Sequence, residues 1–342
     1  MKRRDERRKD EDRREDRGER GKDREDRVED NRGGDPRRPR RVPRMALPEA
    51  ILSWTEHWIA VDKPSGLPSR PAPGYAGSAL SQIEQWLAAQ APELPRPGVV
   101  HRLDRETSGV LVFSLGPQGH RALEYAFRGA IRKEYRAAVM GWPRPRHGLI
   151  ELPLLLDSSR RVRPDRNGRP SRTRYSTLRR FRDAALVKVE PLTGRTHQIR
   201  VHLAARGTAV LGDRIYGAVP AVPGDRTYGA ISAAAAGAIE AAPLLRPPRL
   251  CLHALRLSIP AQVLGPLGAI SERQGCDRRV YPHETPAVTR SLAAGHSGGP
   301  SRARSSASAD TSIPPGSWTI EAPMPADLVL YLGKLESFSK HP

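Results

Sequence analysis

Several things that define whole classes of protein are scarce or missing in this sequence. There are two cysteines, Cys251 and Cys276. They are too few for a disulfide framework, and their spacing matches no zinc site. Cys251 reads as a core residue and Cys276 as a loop residue. No apolar run of about eighteen residues occurs, and the N-terminal region lacks the apolar stretch of a secretory signal. Neither a membrane span nor export is therefore expected, and the chain reads as cytosolic. No glycine-rich loop follows an expected strand, which counts against a nucleotide-binding core. Acidic charge is in deficit too, with 58 Lys and Arg against 38 Asp and Glu, a net +20 over 342 residues.

The first forty residues hold almost nothing apolar. They carry 17 Lys and Arg against 14 Asp and Glu, an excess of +3, so +17 of the +20 falls on residues 41–342. A segment of this kind cannot bury enough surface to offset its chain entropy, so residues 1–46 are expected to be a disordered charged tail. The uncompensated positive field belongs to the body. A polyanion is the partner it favours, with the Arg-rich stretch 160–182 supplying phosphate contacts.

Apolar patterning begins near Ile51 and continues to about Pro260. Trp58 to Val61 reads as a strand ending at the turn Lys63-Pro64-Ser65-Gly66. Residues 78–89 place Leu80, Ile83, Trp86 and Leu87 at helical spacing behind the cap Ser78, and 119–128 repeats that pattern with Leu123 and Phe127. Strands are expected at 134–139, 149–155, 172–178, 184–189 and 250–259, and a helix at 196–205. Many strands joined by short turns with few helices predict an α+β fold on a mixed, mainly antiparallel sheet. A catalytic domain over 47–260 would carry a loop insertion at 218–248. Residues 261–317, rich in Ser, Gly, Ala and Pro, read as a disordered insertion. Apolar content returns at 318–334, expected to rejoin the sheet as a C-terminal strand, with 335–342 as a tail.

The most informative block is His101-Arg102-Leu103-Asp104-Arg105-Glu106-Thr107-Ser108-Gly109, which leads into the apolar run Val110 to Phe113. An acid between two basic residues at the mouth of a strand can be kept ionised and aimed, so Asp104 is the first candidate for chemistry. Its letters resemble a kinase catalytic loop. Yet Leu103 precedes Asp104, no Asn stands at the required offset, and neither a Gly-rich loop nor an Asp-Phe-Gly triplet occurs. His197, His202 and His253 do not make a metal site by spacing, since His197 and His202 are five apart and do not share a helix face. Support of a pocket by hydrogen bonding suits them better.

Further blocks complete a set: Lys63 to Leu67, Lys133-Glu134-Tyr135, Thr193 to Leu203, Gly212 to Gly217, and Leu252-His253-Ala254. In this order they resemble the RluA family of RNA pseudouridine synthases over residues 50–260. The resemblance implies the pseudouridine synthase fold with a catalytic cleft in the centre. It also implies isomerisation of uridine to pseudouridine in structured RNA, 23S rRNA or tRNA, by a protein expected to be monomeric and to need neither metal nor organic cofactor.

By the same resemblance Asp104 is the essential carboxylate, Arg200 its ion-pair partner, and Tyr135 the ring that stacks on the target base with its hydroxyl toward C5. Arg102 would fill the gap left by a flipped-out uridine. His101, Arg105, Lys133, Arg195 and His197 would contact RNA, and Leu203 would line the wall under the uracil. Thr107, Ser108 and Gly109 read as structural. Departures from the family pattern are small: Asp62 stands where an Asn is common, and Thr208-Ala209 replaces a usual His-Pro pair. Many relatives carry an S4-type RNA-binding domain, for which this chain shows only the charged tail. An RNA-binding or ribosome-assembly factor that kept the fold without the chemistry is the alternative, and a decayed enzyme would be expected to lose one of Asp104, Tyr135 and Arg200.

Overall fold

A computed structural model describes residues 39–158, 161–217, 246–260 and 317–340. Expectations for 1–38, most of the 218–248 insertion, 261–316 and the last two residues lie outside these. The first strands are β1 (Ile51–Trp54), β2 (Trp58–Lys63), β3 (Pro97–Val99), β4 (Ser108–Leu115), β5 (Arg132–Met140) and β6 (His147–Glu151). After β7 (Leu154–Leu156) and β8 (Val162–Pro164), which make a separate hairpin, come β9 (Arg172–Arg180), β10 (Ala184–Pro191), β11 (Leu252–Ile259) and β12 (Trp318–Glu321). Among the described residues, ten of these strands form one sheet in the order β1-β2-β4-β11-β5-β10-β9-β6, with β3 added to β4 and β12 to β11. Pairing is antiparallel except between β4 and β11. The expected α+β class and mainly antiparallel sheet are what the fold has. No described helix is long and apolar enough to cross a membrane.

Burial explains the strand patterns. Every residue of β4 is buried because both faces of the sheet are covered there. Leu111, Phe113 and Leu115 pack with Ile83 and Leu87 of α1 (Ala79–Gln90), whereas Val110 and Val112 pack with Leu123 of α2 (Gly116–Phe127). Toward the edge, β9 alternates: Thr173, Tyr175 and Thr177 are buried while Arg172 and Arg174 face solvent. Ser78 does cap α1, accepting from Ser81 N–H at 3.1 Å while its own N–H donates to Ser81 Oγ at 2.8 Å.

At the centre, β4 and β11 touch through only His253 beside Ser108 and Ala254 beside Gly109. Beyond that point β4 continues with β3 and β11 with β12. Gly109 has φ +112°, and a Cβ there would stand 2.2 Å from the Ala254 carbonyl oxygen. This close backbone approach, next to the Asp104 loop, is available only to glycine.

Three expectations change. Residues 149–155 are not one strand but β6 and β7, separated at Leu152-Pro153, where proline supplies no ladder donor. Residues 39–46, read as tail, lie on the body: Met45 is buried and its N–H donates to Gln82 Oε1 at 2.8 Å. Only residues 318–321 return to the sheet, and α4 (Ala326–Lys340) replaces the rest of the expected strand and the tail. Leu328, Tyr331 and Leu335, three and four apart, are its buried face, while Val329 and Leu330 are exposed.

Candidate active site

The loop bearing Asp104 is built on a buried lysine. Lys63 is fully enclosed, and its ammonium donates to the carbonyls of Pro64 at 3.0 Å, Leu67 at 2.8 Å and Arg105 at 3.0 Å. Ser65 Oγ donates to Glu106 O at 2.6 Å. Ser69 Oγ donates to Leu103 O at 2.7 Å and accepts Leu103 N–H at 3.0 Å. The backbone is thus held at 103, 105 and 106, leaving the side chain of Asp104 as the projecting group. Thr107 N–H closes the turn onto Asp104 O at 3.1 Å.

The opposing wall is α3 (Gln198–Ala205), entirely buried. Gln198 ties the Thr193–His197 turn together, accepting from Thr193 Oγ1 at 2.7 Å and Arg195 N–H at 3.0 Å, and donating to Thr173 Oγ1 and Arg172 O at 2.9 Å. His197, the N-cap, adopts φ 51°, the only positive φ of a non-glycine residue among those described. One turn on, Arg200 donates from Nη1 to Asp104 Oδ2 at 3.3 Å. Its stronger engagement is with Asp213, Nε to Oδ2 at 2.8 Å and Nη2 to Oδ1 at 2.9 Å. The guanidinium also lies 5.2 Å from the ring centre of Tyr216.

Asp213 was visible in the sequence only as part of a block. Burial acts to raise its pKa, but the hydrogen bonds and charge of Arg200, with the amides of Tyr216 and Ile215, outweigh it and hold the carboxyl below its ordinary value. A bidentate carboxylate so fixed orients the planar guanidinium. Arg200 is then presented to Asp104 in one direction.

Tyr135 enters from β5, beside Ala254 of β11 and Val189 of β10. Burial, then the charge of Asp104, raises its phenol well above the usual range, so it is neutral at all physiological pH. Asp104, Tyr135, Arg200 and His197 therefore converge from a loop, a strand and a helix; His197 Nε2 lies 3.9 Å from Asp104 Oδ2.

Other candidates are placed differently. His101 is turned into the fold, stacked on Phe127 at 4.2 Å and accepting Val112 N–H at 2.9 Å; burial, then Lys133, pushes its pKa down to about 3. It supports the loop as a neutral ring. Leu203 is fully buried in the core between α3 and the sheet, so it backs the site without lining it. Lys133 lies over Phe127 at 5.4 Å, its pKa lowered by burial. Arg105 pairs with Glu106 at 2.7 Å and lies over Tyr75, while Arg102, two residues before Asp104 in the chain, is half-buried. Arg195 is exposed, with Nε donating to Pro170 O at 3.3 Å.

The Arg-rich stretch divides. Arg172 and Arg179 are paired with Glu151 and Glu336, and Arg174 approaches Glu190. By contrast Arg161, Arg166 and Arg169, in and after the β7–β8 hairpin, are exposed, and their guanidinium groups have no ion pair among the described residues. That hairpin adjoins the site, since Val162 N–H donates to the Tyr216 hydroxyl at 3.3 Å.

A family model described as RNA pseudouridylate synthase matches residues 57–205, which include Asp104, Tyr135 and Arg200. An uncharacterized RNA pseudouridine synthase of Chloroflexus aurantiacus is 43% identical over 166 residues, 46% of this chain and 51% of that one. The dual-specificity RNA pseudouridine synthase RluA of Salmonella typhimurium is 39% identical over 173 residues, 48% of this chain and 76% of its own length. The match thus spans about half of the first relative and three quarters of the second. The solved structure titled Human RNA Pseudouridylate Synthase Domain Containing 4 covers 85% of this chain and 94% of its own at TM-score 0.55 and 21% identity, a likeness of fold.

Proposed function

The chain belongs to the RluA family of RNA pseudouridine synthases, and on that premise we propose that Asp104 isomerises a flipped-out uridine to pseudouridine within 23S rRNA, tRNA or both. The N1–C1′ bond must break, the uracil must turn in place, and C5 must bond C1′ while C5 loses a proton and N1 gains one. Base and sugar are both already present, so the residues need only supply a carboxylate, an orienting charge and a path for that proton.

The observation that carries this reading is the convergence of Asp104 with Arg200 at 3.3 Å, on a guanidinium already fixed by Asp213. A carboxylate oriented by a permanent cation can act as nucleophile toward the sugar or base, or as base toward a ribose proton. Tyr135 offers its ring to the uracil. Its phenol is neutral, so it takes the C5 proton only as it hands on its own. Arg102, half-buried on the same loop as Asp104, fills the place of the extruded base, and the arginines near the hairpin hold phosphates.

A Salmonella relative is named dual-specificity, so more than one RNA is to be searched. Pseudouridines are to be mapped across rRNA and tRNA from cells with the gene, without it, and with Asp104→Asn in its place. Sites lost in both altered strains identify the substrate. An unchanged map in the deletion strain overturns the assignment and returns the RNA-binding factor.

A further inference from the structure

The two oxygens of the Asp104 carboxylate are not equivalent. Oδ2 receives Arg200 Nη1 at 3.3 Å and faces His197 Nε2 at 3.9 Å, whereas Oδ1 has no hydrogen bond or ion pair among the described residues. Which nitrogen of His197 carries the proton therefore decides what Oδ2 meets.

Tyr216 bears on this through its hydrogen bonds. Its oxygen accepts Val162 N–H at 3.3 Å and lies 2.8 Å from His197 Nδ1. Burial, ahead of smaller effects from its neighbours, pushes the phenol up to about 12, so it keeps its hydrogen. No other described group takes that hydrogen. If the phenol donates it to Nδ1, that nitrogen is an acceptor, and in the neutral ring the proton resides on Nε2, toward Asp104.

The backbone gives a second, independent sign. His197 is held at φ 51° on a turn cinched by Gln198, a conformation costly for any residue with a Cβ and persistent only where surroundings impose it. An extended conformation at 197 would swing the ring off both Tyr216 and Asp104.

We propose that His197, locked by Tyr216 as the Nε2–H tautomer, is a positioning residue that holds Oδ2 of Asp104 together with Arg200 and so commits Oδ1 to the substrate. At 3.9 Å the imidazole makes an electrostatic contact, and the hydrogen bond forms when RNA closes the site, as catalytic bonds commonly tighten in the complex. The tether to Val162 makes the β7–β8 hairpin, with Arg161 exposed on its turn, the element whose docking on RNA sets the ring. The inference rests on the catalytic role of Asp104 proposed above.

Its test has a spectroscopic and a kinetic arm. Long-range proton–nitrogen spectra of the full chain with labelled histidine are expected to show His197 as the Nε2–H tautomer, and Tyr216→Phe is expected to release that preference. His197→Asn keeps a residue tolerant of the left-handed backbone while removing the ring. It and Tyr216→Phe are expected to lower kcat by about 100-fold, the scale of a misplaced reacting group, with KM for RNA within about three-fold of wild type. An Nδ1–H tautomer in the wild type, or a wild-type kcat in His197→Asn, overturns the proposal. Wild-type protein inactive on every RNA would overturn the catalytic reading instead, and the tautomer would still report on the lock.

Discussion

Asp213 shows how a residue can govern the site without reaching substrate. It takes two of Arg200's hydrogen bonds and leaves Asp104 only one, longer bond. Removing it strands a buried guanidinium, so Asp213→Ala is expected to lower stability by about 3 kcal/mol, the lower end for breaking a buried pair because Asp104 remains. Urea unfolding measures this, and a change under about 1 kcal/mol would contradict it. Asp213's folded pKa is depressed, so its contribution is present above the unfolded value of about 3.9 and is lost as pH falls through the folded one. Asp104, Tyr135 and Arg200 were legible because each stands in a short, ordered block. Asp213, Tyr216 and the buried role of Lys63 were not: their meaning depends on which partner lies across the fold, and no spacing in the chain states that. Leu203 went the other way, since nearness to a reactive residue in sequence does not fix which face of the helix a side chain occupies.

At the scale of elements, buried histidines join neighbours. His202 of α3 bonds Thr173 of β9 at 2.8 Å and Leu152 O at 3.0 Å. His253 of β11 bonds Ser108 of β4 at 2.9 Å and Ala322 O at 3.2 Å. Burial, ahead of the opposing backbone bonds, pushes each pKa down to about 4. The unfolded chain then binds more protons than the folded one below about pH 6.5, so stability falls between there and about pH 4. Each histidine is expected to cost about 2 kcal/mol between about pH 7 and pH 5. Urea midpoints at those two values check it, and equal midpoints would contradict it. Strand and helix positions along β2, β5, β9, β10 and α1 followed from periodicity. The C-terminal segment did not, because Leu328-Val329-Leu330 reads as a strand unless Tyr331 and Leu335 are counted with it. Since Ile320 and Ala322 pack in one core cluster and Leu328, Tyr331 and Leu335 in another, removing residues 317–340 is expected to lower the melting temperature by several degrees at least. An unchanged melt would mean that the body stands without them.

For the molecule as a whole, the excess of +20 is less informative than its distribution. Arg136, Lys188 and Arg256 surround Glu134, and Arg172 and Arg179 are matched to acids. The arginines whose guanidinium groups have no ion pair among the described residues include Arg161, Arg166 and Arg169, near the hairpin tied to the site through Tyr216. Replacing these three by Gln is expected to raise KM for RNA and to flatten the slope of log affinity against log salt by about 2. An unaltered slope would place the RNA elsewhere.

The central claim is that Asp104 carries out the isomerisation, and release of tritium from RNA labelled at uridine C5 measures it most directly. Wild-type protein with rRNA and tRNA transcripts is expected to release tritium in proportion to the pseudouridine formed, whereas Asp104→Asn binds the same RNA and releases none. Release by Asp104→Asn at the wild-type rate would contradict the account.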